Sequence, residues 1–109
     1  MLQLIKKFFG PGNNTPAVDT SLVQEALLVD VRNPHELKSG EVTGSINIPL
    51  SQVASNIEKF KNQKHIILFC GSGSRAAKAQ QILQSNGITN VTNGGGWKEV
   101  DKVVKINNG

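Results

Sequence analysis

The residues with the clearest capacity for chemistry form one stretch, Cys70-Gly71-Ser72-Gly73-Ser74-Arg75, which holds the only cysteine of the chain. Two glycines permit backbone conformations that a Cβ would forbid, so successive N–H groups can converge on an anion. The anion that the loop itself offers is the thiolate of Cys70. A helix N-terminus and the guanidinium of Arg75 can lower the pKa of a cysteine from ~8.5 to roughly 3.5 to 7.5. The stretch therefore predicts a nucleophilic Cys70, with residues 71–75 binding the substrate.

A lone cysteine after an apolar strand is more often an inert core residue, and this alternative competes with the reactive one. The residues that follow Cys70 decide between the two. A core cysteine has no need of a small, polar, glycine-containing loop that ends in a cation. We therefore interpret Cys70 as reactive.

Two regular elements are predicted to position this loop. The apolar run Ile66–Phe69 is short and begins with β-branched residues, which indicates a buried parallel strand. After the loop, apolar residues recur at helical spacing as far as Asn86-Gly87, a pair suited to a left-handed cap. Cys70 then lies at the carboxyl end of a strand, and the helix directs its free N–H groups at the loop.

The rest of the sequence alternates between strand and helix patterns. Strands are predicted over 27–31, 45–49 and 88–92, and helices near 20–25, 33–40, 51–60 and 97–104. Ser51 is expected to cap the helix that it begins, and Asn33 and Glu36 fit a capping box. Residues 93–96, Asn-Gly-Gly-Gly, are expected to form a turn. The alternation predicts an α/β domain with a central, mainly parallel sheet and helices on both faces.

Length and charge narrow the classes of function. A chain of 109 residues suits one domain, which we assign to residues 17–109, after an amphipathic segment and linker at 1–16. The net charge of +4 favours small anionic substrates or an acidic partner surface. No basic cluster with interleaved aromatic residues supports nucleic-acid binding. His35 and His65 lack the spacing of metal ligands, so neither a metal nor a cofactor is expected.

The single cysteine also bears on redox chemistry and location. It excludes an internal disulfide and suits a reducing compartment, which we expect to be the cytoplasm. No second thiol can discharge an oxidised or sulfur-loaded Cys70, so an external acceptor is required. Lys6 and Lys7 interrupt the apolar N-terminal segment, so it is a poor signal peptide and cannot span a membrane. Docking of this segment on its own domain is preferred to contact with a membrane or a partner.

Four segments, taken in order, resemble the rhodanese family of single-domain sulfurtransferases. They are Leu28-Val29-Asp30-Val31-Arg32 with Glu36 after it, residues 40–49 (GEVTGSINIP), the loop from Cys70 to Arg75, and Gly94-Gly95 before Trp97. The resemblance implies an α/β fold with a central parallel sheet, in agreement with the residue patterns. It also implies that Cys70 accepts a sulfane sulfur as a persulfide, held by the amides of Gly71 to Arg75.

The resemblance bears on substrate and on the supporting residues. A six-residue loop in this superfamily implies sulfur chemistry, because related phosphatases and arsenate reductases use a loop longer by one residue. The loop interior supplies no charge, which implies modest use of thiosulfate and leaves most anion recognition to Arg75. We interpret Asp30, Arg32 and Glu36 as structural support. Asp30 can cap backbone amides, Arg32 can pair with Glu36 or another acid, and Glu36 is a cap rather than a base.

Three positions depart from the family pattern. Members commonly carry a His where this chain has Glu41, an aromatic residue where it has Leu37, and a Ser where it has Ala76. These sites are interpreted as scaffold, so the predicted fold is unaffected.

The function predicted is transfer of a sulfane sulfur from thiosulfate or a persulfide to cyanide, a thiol or a sulfur-acceptor protein. Two other classes stay open. A cysteine-dependent phosphatase or arsenate reductase is disfavoured by the short loop and by the lack of an evident acid for the leaving oxygen. A rhodanese-like module that only binds partners is disfavoured by the intact Cys70 and Arg75.

Overall fold

The computed structural model describes residues 18–108, which form a four-stranded sheet flanked by helices. The strands are β1 (Ala26–Asp30), β2 (Ile46–Asn47), β3 (His65–Cys70) and β4 (Val91–Gly96). The α-helices are α1 (Thr20–Glu25), α2 (Leu50–Val53), α3 (Ser74–Ser85) and α4 (Trp97–Asn108). Two 3₁₀ helices cover Pro34–Ser39 and Ala54–Phe60.

The sheet is parallel throughout, with the strand order β2-β1-β3-β4. The two inner strands, β1 and β3, pair along their length, with Leu28 opposite Ile67 and Val29 opposite Leu68. Both strands are nearly continuous apolar runs, as expected where helices cover both faces of a sheet. The predicted α/β architecture with a parallel sheet is confirmed.

Alternate residues of β3 point to opposite faces of the sheet and join two separate apolar clusters. Ile66 and Leu68 pack with α3 and the second 3₁₀ helix, through Ala76, Ala79, Leu83 and Phe60. Ile67 and Phe69 pack with α1 and α4, through Val23, Val100, Val103 and Val104. Burial on both sides holds β3 rigidly, so the Cys70 at its end has a fixed starting position.

Three helix ends have clear physical causes, and one of them is the cap predicted at Asn86-Gly87. The side chain of Asp19 caps α1 by accepting a hydrogen bond of 2.8 Å from the Leu22 N–H. Gly40 follows the first 3₁₀ helix with a φ of +134°. Gly87 follows α3 with a φ of +81° and donates its N–H to the carbonyl oxygen of Gln84 at 3.0 Å. Positive φ at both glycines explains why the helices end there.

The prediction for the helix at 51–60 is wrong in two respects. Its α-helical part begins at Leu50 with Pro49 at the N-cap, so Ser51 lies inside the first turn and is not the cap. It then continues as the 3₁₀ helix Ala54–Phe60, in which Asn56 leaves helical geometry with φ −119° and ψ 27°. The Asn56 side-chain amide donates to the Gln52 carbonyl oxygen at 2.8 Å, a local bond that competes with helical backbone hydrogen bonding.

The prediction of a turn at residues 93–96 is also wrong, because these residues complete β4. Leu68 pairs with Asn93 but Cys70 pairs with Gly96, so β4 contains one more residue than β3 over this interval. The extra residue is a β-bulge, and Gly95 accommodates it with a φ of +84°. The glycines that were predicted to form a turn instead allow β4 to continue beside the Cys70 loop.

The amphipathic segment predicted at residues 1–16 lies outside the described residues. Over residues 18–108, none of the helices has the length and apolar character needed to cross a membrane.

Candidate active site

The Cys70 sulfur lies in a cradle of backbone N–H groups at the carboxyl end of β3. The side chain is fully buried, and the Gly73 N–H donates to Sγ at 3.0 Å. Burial raises the pKa of the Cys70 thiol, but hydrogen bonds from the backbone N–H groups of Ala76, Ser72, Gly73 and Arg75 lower it further than burial raises it. The net result is a pKa below the ordinary cysteine value. The sulfur is therefore biased toward the thiolate without a neighbouring base.

The donors around this sulfur differ in part from those expected from the sequence. Ala76 contributes an N–H from the first turn of α3, beyond the predicted loop of residues 71–75. Gly71, at the other end of the loop, presents its carbonyl oxygen toward Gly96 of β4. The left-handed conformation of Gly73, with φ +101°, lets the chain turn so that the later amides face back to Cys70.

The end of β4 supports the loop from one side. The Asn93 side-chain amide donates to the Gly73 carbonyl oxygen at 3.0 Å, and its oxygen accepts the Gly95 N–H at 2.8 Å. A Cβ added at Gly96 would come within 2.8 Å of the Gly71 carbonyl oxygen. Sequence reasoning missed Asn93 as a support residue. The sequence signal for this role is the run of glycines that follows Asn93, because glycines permit the backbone of β4 to approach the loop closely.

Arg75 reaches from α3 to Glu36 in the first 3₁₀ helix and forms a bidentate ion pair. Its Nη1 and Nη2 atoms donate to Oε2 and Oε1 at 2.6 and 3.0 Å. Oε2 also accepts the Asn33 N–H at 3.0 Å, which is the acid half of the predicted capping box. The Arg75 hydrogen bonds and the Asn33 N–H lower the pKa of Glu36 to about 2. The same carboxylate raises the pKa of Arg75, and proximity to Cys70 adds to that increase.

Asp30 and Arg32 form a second ion pair, which is almost completely buried. The Arg32 guanidinium binds both carboxylate oxygens of Asp30, at 2.6 to 3.0 Å, and Asp30 also caps the Arg32 N–H at 3.0 Å. Arg32 therefore pairs with Asp30 and not with the carboxylate of Glu36. Two further N–H groups of Arg32 donate to the carbonyl oxygens of Glu36 at 3.3 Å and Gly40 at 2.9 Å. Trp97 stacks on it with 4.7 Å from Cζ to the ring centroid.

The structure thus brings together most of the residues singled out from the sequence. Cys70, Arg75 and Glu36 form one cluster, and Arg32 holds the backbone of Glu36 to the sheet. Ser72 and Ser74 are exposed at the loop surface. His65 lies at the opposite end of β3 from Cys70, where its Nε2 contacts Thr92 Oγ1 at 2.7 Å.

Comparison with known proteins identifies relatives of this chain. The family model described as "Rhodanese-like domain" matches residues 16–102. The chain is 38% identical over 77 residues to the uncharacterized protein YqhL of Bacillus subtilis (strain 168), covering 70% of this chain and 61% of that protein. It is 35% identical over 74 residues to the thiosulfate sulfurtransferase PspE of Escherichia coli (strain K12), covering 66% of this chain and 71% of that protein.

The fold has a counterpart among solved structures. A rhodanese from E. coli, determined with anions, superposes with a TM-score of 0.61 at 34% sequence identity, covering 68% of this chain and 89% of that one. The sequence comparisons and the structural comparison therefore identify the same group of proteins.

Proposed function

The chain belongs to the rhodanese-like domain family, and we propose that it is a sulfurtransferase whose nucleophile is Cys70. The observation that carries the proposal is the convergence of backbone N–H groups on the buried Cys70 sulfur. The relationship to a thiosulfate sulfurtransferase at 35% identity supports the same chemistry.

In the first half-reaction, the Cys70 thiolate attacks the outer sulfur of a donor such as thiosulfate or a persulfide. A bond forms between the two sulfurs, and the donor's sulfur–sulfur bond breaks. The sulfite or thiolate leaves with the electron pair, and Cys70 becomes a persulfide. The N–H groups of Ser72, Gly73, Arg75 and Ala76 that hold the thiolate are placed to stabilise negative charge on the persulfide as well.

In the second half-reaction, an acceptor thiolate or cyanide attacks the outer sulfur of the persulfide, and the Cys70 thiolate is released. The acceptor must come from outside the chain, because Cys70 is its only cysteine. A small thiol or a sulfur-acceptor protein suits this role in a cell. A reducing compartment such as the cytoplasm suits a protein that depends on one free thiol.

The loop residues have distinct roles in this proposal. Gly71 and Gly73 supply backbone freedom, and Ser72 and Ser74 leave the loop surface polar and uncharged. Arg75 lies beside the sulfur as a cation that is paired with Glu36. Asp30, Arg32 and Glu36 support the loop and its cation and do not take part in bond making.

Intact-protein mass spectrometry tests the proposal directly. The purified chain is incubated with thiosulfate and, separately, with a low-molecular-weight persulfide, in parallel with Cys70→Ser. We expect a gain of one sulfur atom that is lost on adding cyanide or a thiol and never forms in the variant. A folded protein with a free thiol that gains no sulfur from either donor would contradict the proposal, and would favour a binding module or an oxyanion-handling enzyme.

A further inference from the structure

The positive charge of the Cys70 loop is already neutralised by the protein itself. Arg75 is the one charged residue among residues 71–75, and both of its terminal nitrogens bind the Glu36 carboxylate. The pair is partly exposed, at 32% for Arg75 and 28% for Glu36, and it borders the loop, because Nη2 of Arg75 lies 3.4 Å from where a Cβ on Gly71 would stand. An anionic donor therefore meets an arginine that has an anionic partner.

Glu36 is held firmly in this position. Its Oε2 accepts the Asn33 N–H in addition to Arg75, and its carbonyl oxygen accepts from Arg32 at 3.3 Å. Arg32 is in turn fixed by Asp30 and is almost completely buried. Contacts to its side chain and to its backbone carbonyl thus hold Glu36 beside Arg75.

The charges of the cluster have a direct consequence for the donor. The thiolate of Cys70 and the carboxylate of Glu36 contribute two negative charges against the one positive charge of Arg75. Such a site repels a dianion more strongly than a monoanion, and it does not repel a neutral donor through net charge. A merely structural ion pair would affect all donors alike.

We propose that Glu36 is a specificity-determining residue that disfavours dianionic sulfur donors such as thiosulfate and favours donors of lower charge. This inference rests on the proposed sulfurtransferase function and names the donor class of the same site. It also gives a physical reason for a modest use of thiosulfate that does not depend on the composition of the loop alone.

Two donors that break the same type of bond but differ by one charge provide the test. Thiosulfate carries two negative charges and releases sulfite, and benzenethiosulfonate carries one and releases benzenesulfinate. Both transfer the outer sulfur to Cys70, with cyanide as acceptor. The kcat/KM of each donor is measured for the wild-type protein and for Glu36→Gln at low and at high salt.

Glu36→Gln keeps most of the local geometry. The amide oxygen can take the place of Oε2, and so keep the hydrogen bonds from the Asn33 N–H and from Nη1 of Arg75. The amide nitrogen in the place of Oε1 cannot accept from Nη2, so that hydrogen bond is lost for every donor alike. Glu36→Asp keeps the charge and is the conservative variant. Glu58→Gln is the matched control, because Glu58 pairs with Lys61 at 3.1 Å in the connection that precedes β3, away from the end that carries Cys70.

We expect Glu36→Gln to raise kcat/KM about tenfold for thiosulfate and about threefold for benzenethiosulfonate, from the Coulomb energy of unit charges about 6 Å apart in water. The ratio of kcat/KM for thiosulfate to kcat/KM for benzenethiosulfonate therefore rises about threefold at low salt. It rises less at high salt, because salt screens the charges. Glu36→Asp and Glu58→Gln should keep the wild-type preference.

The result separates this inference from the function on which it rests. If the wild-type protein turns over the donors but Glu36→Gln lowers both equally, or leaves their ratio unchanged, Glu36 has only a structural role and the inference is wrong. If a folded wild-type protein turns over neither donor, the sulfurtransferase proposal itself is wrong, and the inference falls with it. Thermal unfolding of each variant shows that the folded state is being compared.

Discussion

Substitution of Gly96 by alanine is a sharp test of how β4 supports the Cys70 loop. A Cβ at this position would lie 2.8 Å from the carbonyl oxygen of Gly71, which is backbone and cannot rotate away. Ordinary van der Waals contact begins at 3.4 Å, so the loop and β4 must separate by roughly 0.6 Å. This movement displaces Gly71, the residue that follows Cys70.

The expected magnitude follows from that displacement. Overpacking of this kind destabilises a fold by about 1 to 3 kcal/mol, which a compact domain can tolerate. Misplacement of catalytic groups by about 1 Å can reduce the rate about 100-fold, so a shift of roughly 0.6 Å should reduce sulfur transfer about tenfold or more. The pKa of Cys70 should also rise toward its ordinary value, because the N–H groups that lower it move out of position.

Gly94→Ala is the matched control on the same strand. Its Cβ would approach Val100 Cγ2 at 2.9 Å and Ile67 Cγ2 at 3.0 Å, in the apolar cluster on one face of the sheet and not at the loop. Both variants should lose stability in urea unfolding, but only Gly96→Ala should lose sulfur transfer beyond its loss of folded protein. Equal activity in the two variants at equal folded fraction would refute the inference that β4 positions the loop.

Three further predictions concern charged groups. Arg32→Met leaves Asp30 buried without its partner, so the free energy of unfolding should fall by about 3 to 5 kcal/mol, and the double variant with Asp30→Asn should recover part of this loss in urea titrations. Glu36 has a pKa lowered from 4.5 to about 2, so its stabilising effect is complete above pH 4.5 and is lost toward pH 2. The difference in the free energy of unfolding between the wild-type protein and Glu36→Gln should therefore shrink between pH 4.5 and pH 2 and stay constant above pH 4.5. The thiolate absorbance of Cys70 at 240 nm, measured against Cys70→Ser, should appear at a pH below the ordinary thiol value of 9.0 and return to that value in denaturant.

The sequence was sufficient to predict where Cys70 lies in the fold and which elements flank it. The apolar run before it, the glycines after it and the helical spacing beyond them are all local signals, and local signals specify a strand, a loop and a helix N-terminus. The donor from Ala76 was missed because its backbone N–H group carries no side-chain signal. Which amides converge on a sulfur depends on the three-dimensional path of the loop.

The partners of the charged residues were harder to predict, because they depend on contacts between distant segments. Glu36 and Arg75 are separated by 39 residues, and their pairing requires the first 3₁₀ helix to lie against the start of α3. The sequence predicted the capping role of Glu36 but not its second role as partner of Arg75. The glycine run at 94–96 was misinterpreted as a turn for the same reason, since pairing with β3 keeps it in the sheet.

The arrangement of Glu36 also separates sulfur transfer from the chemistry of related oxyanion-handling enzymes. A phosphatase that uses a cysteine nucleophile needs an acid to protonate the leaving oxygen. Glu36 is the carboxyl group in contact with the arginine of the loop, but with a pKa of about 2 it is ionised at neutral pH and has no proton to give. Sulfite and thiolates leave as stable anions and need no such acid. Glu36 therefore cannot supply that proton, and its ion pair with Arg75 is compatible with sulfur transfer.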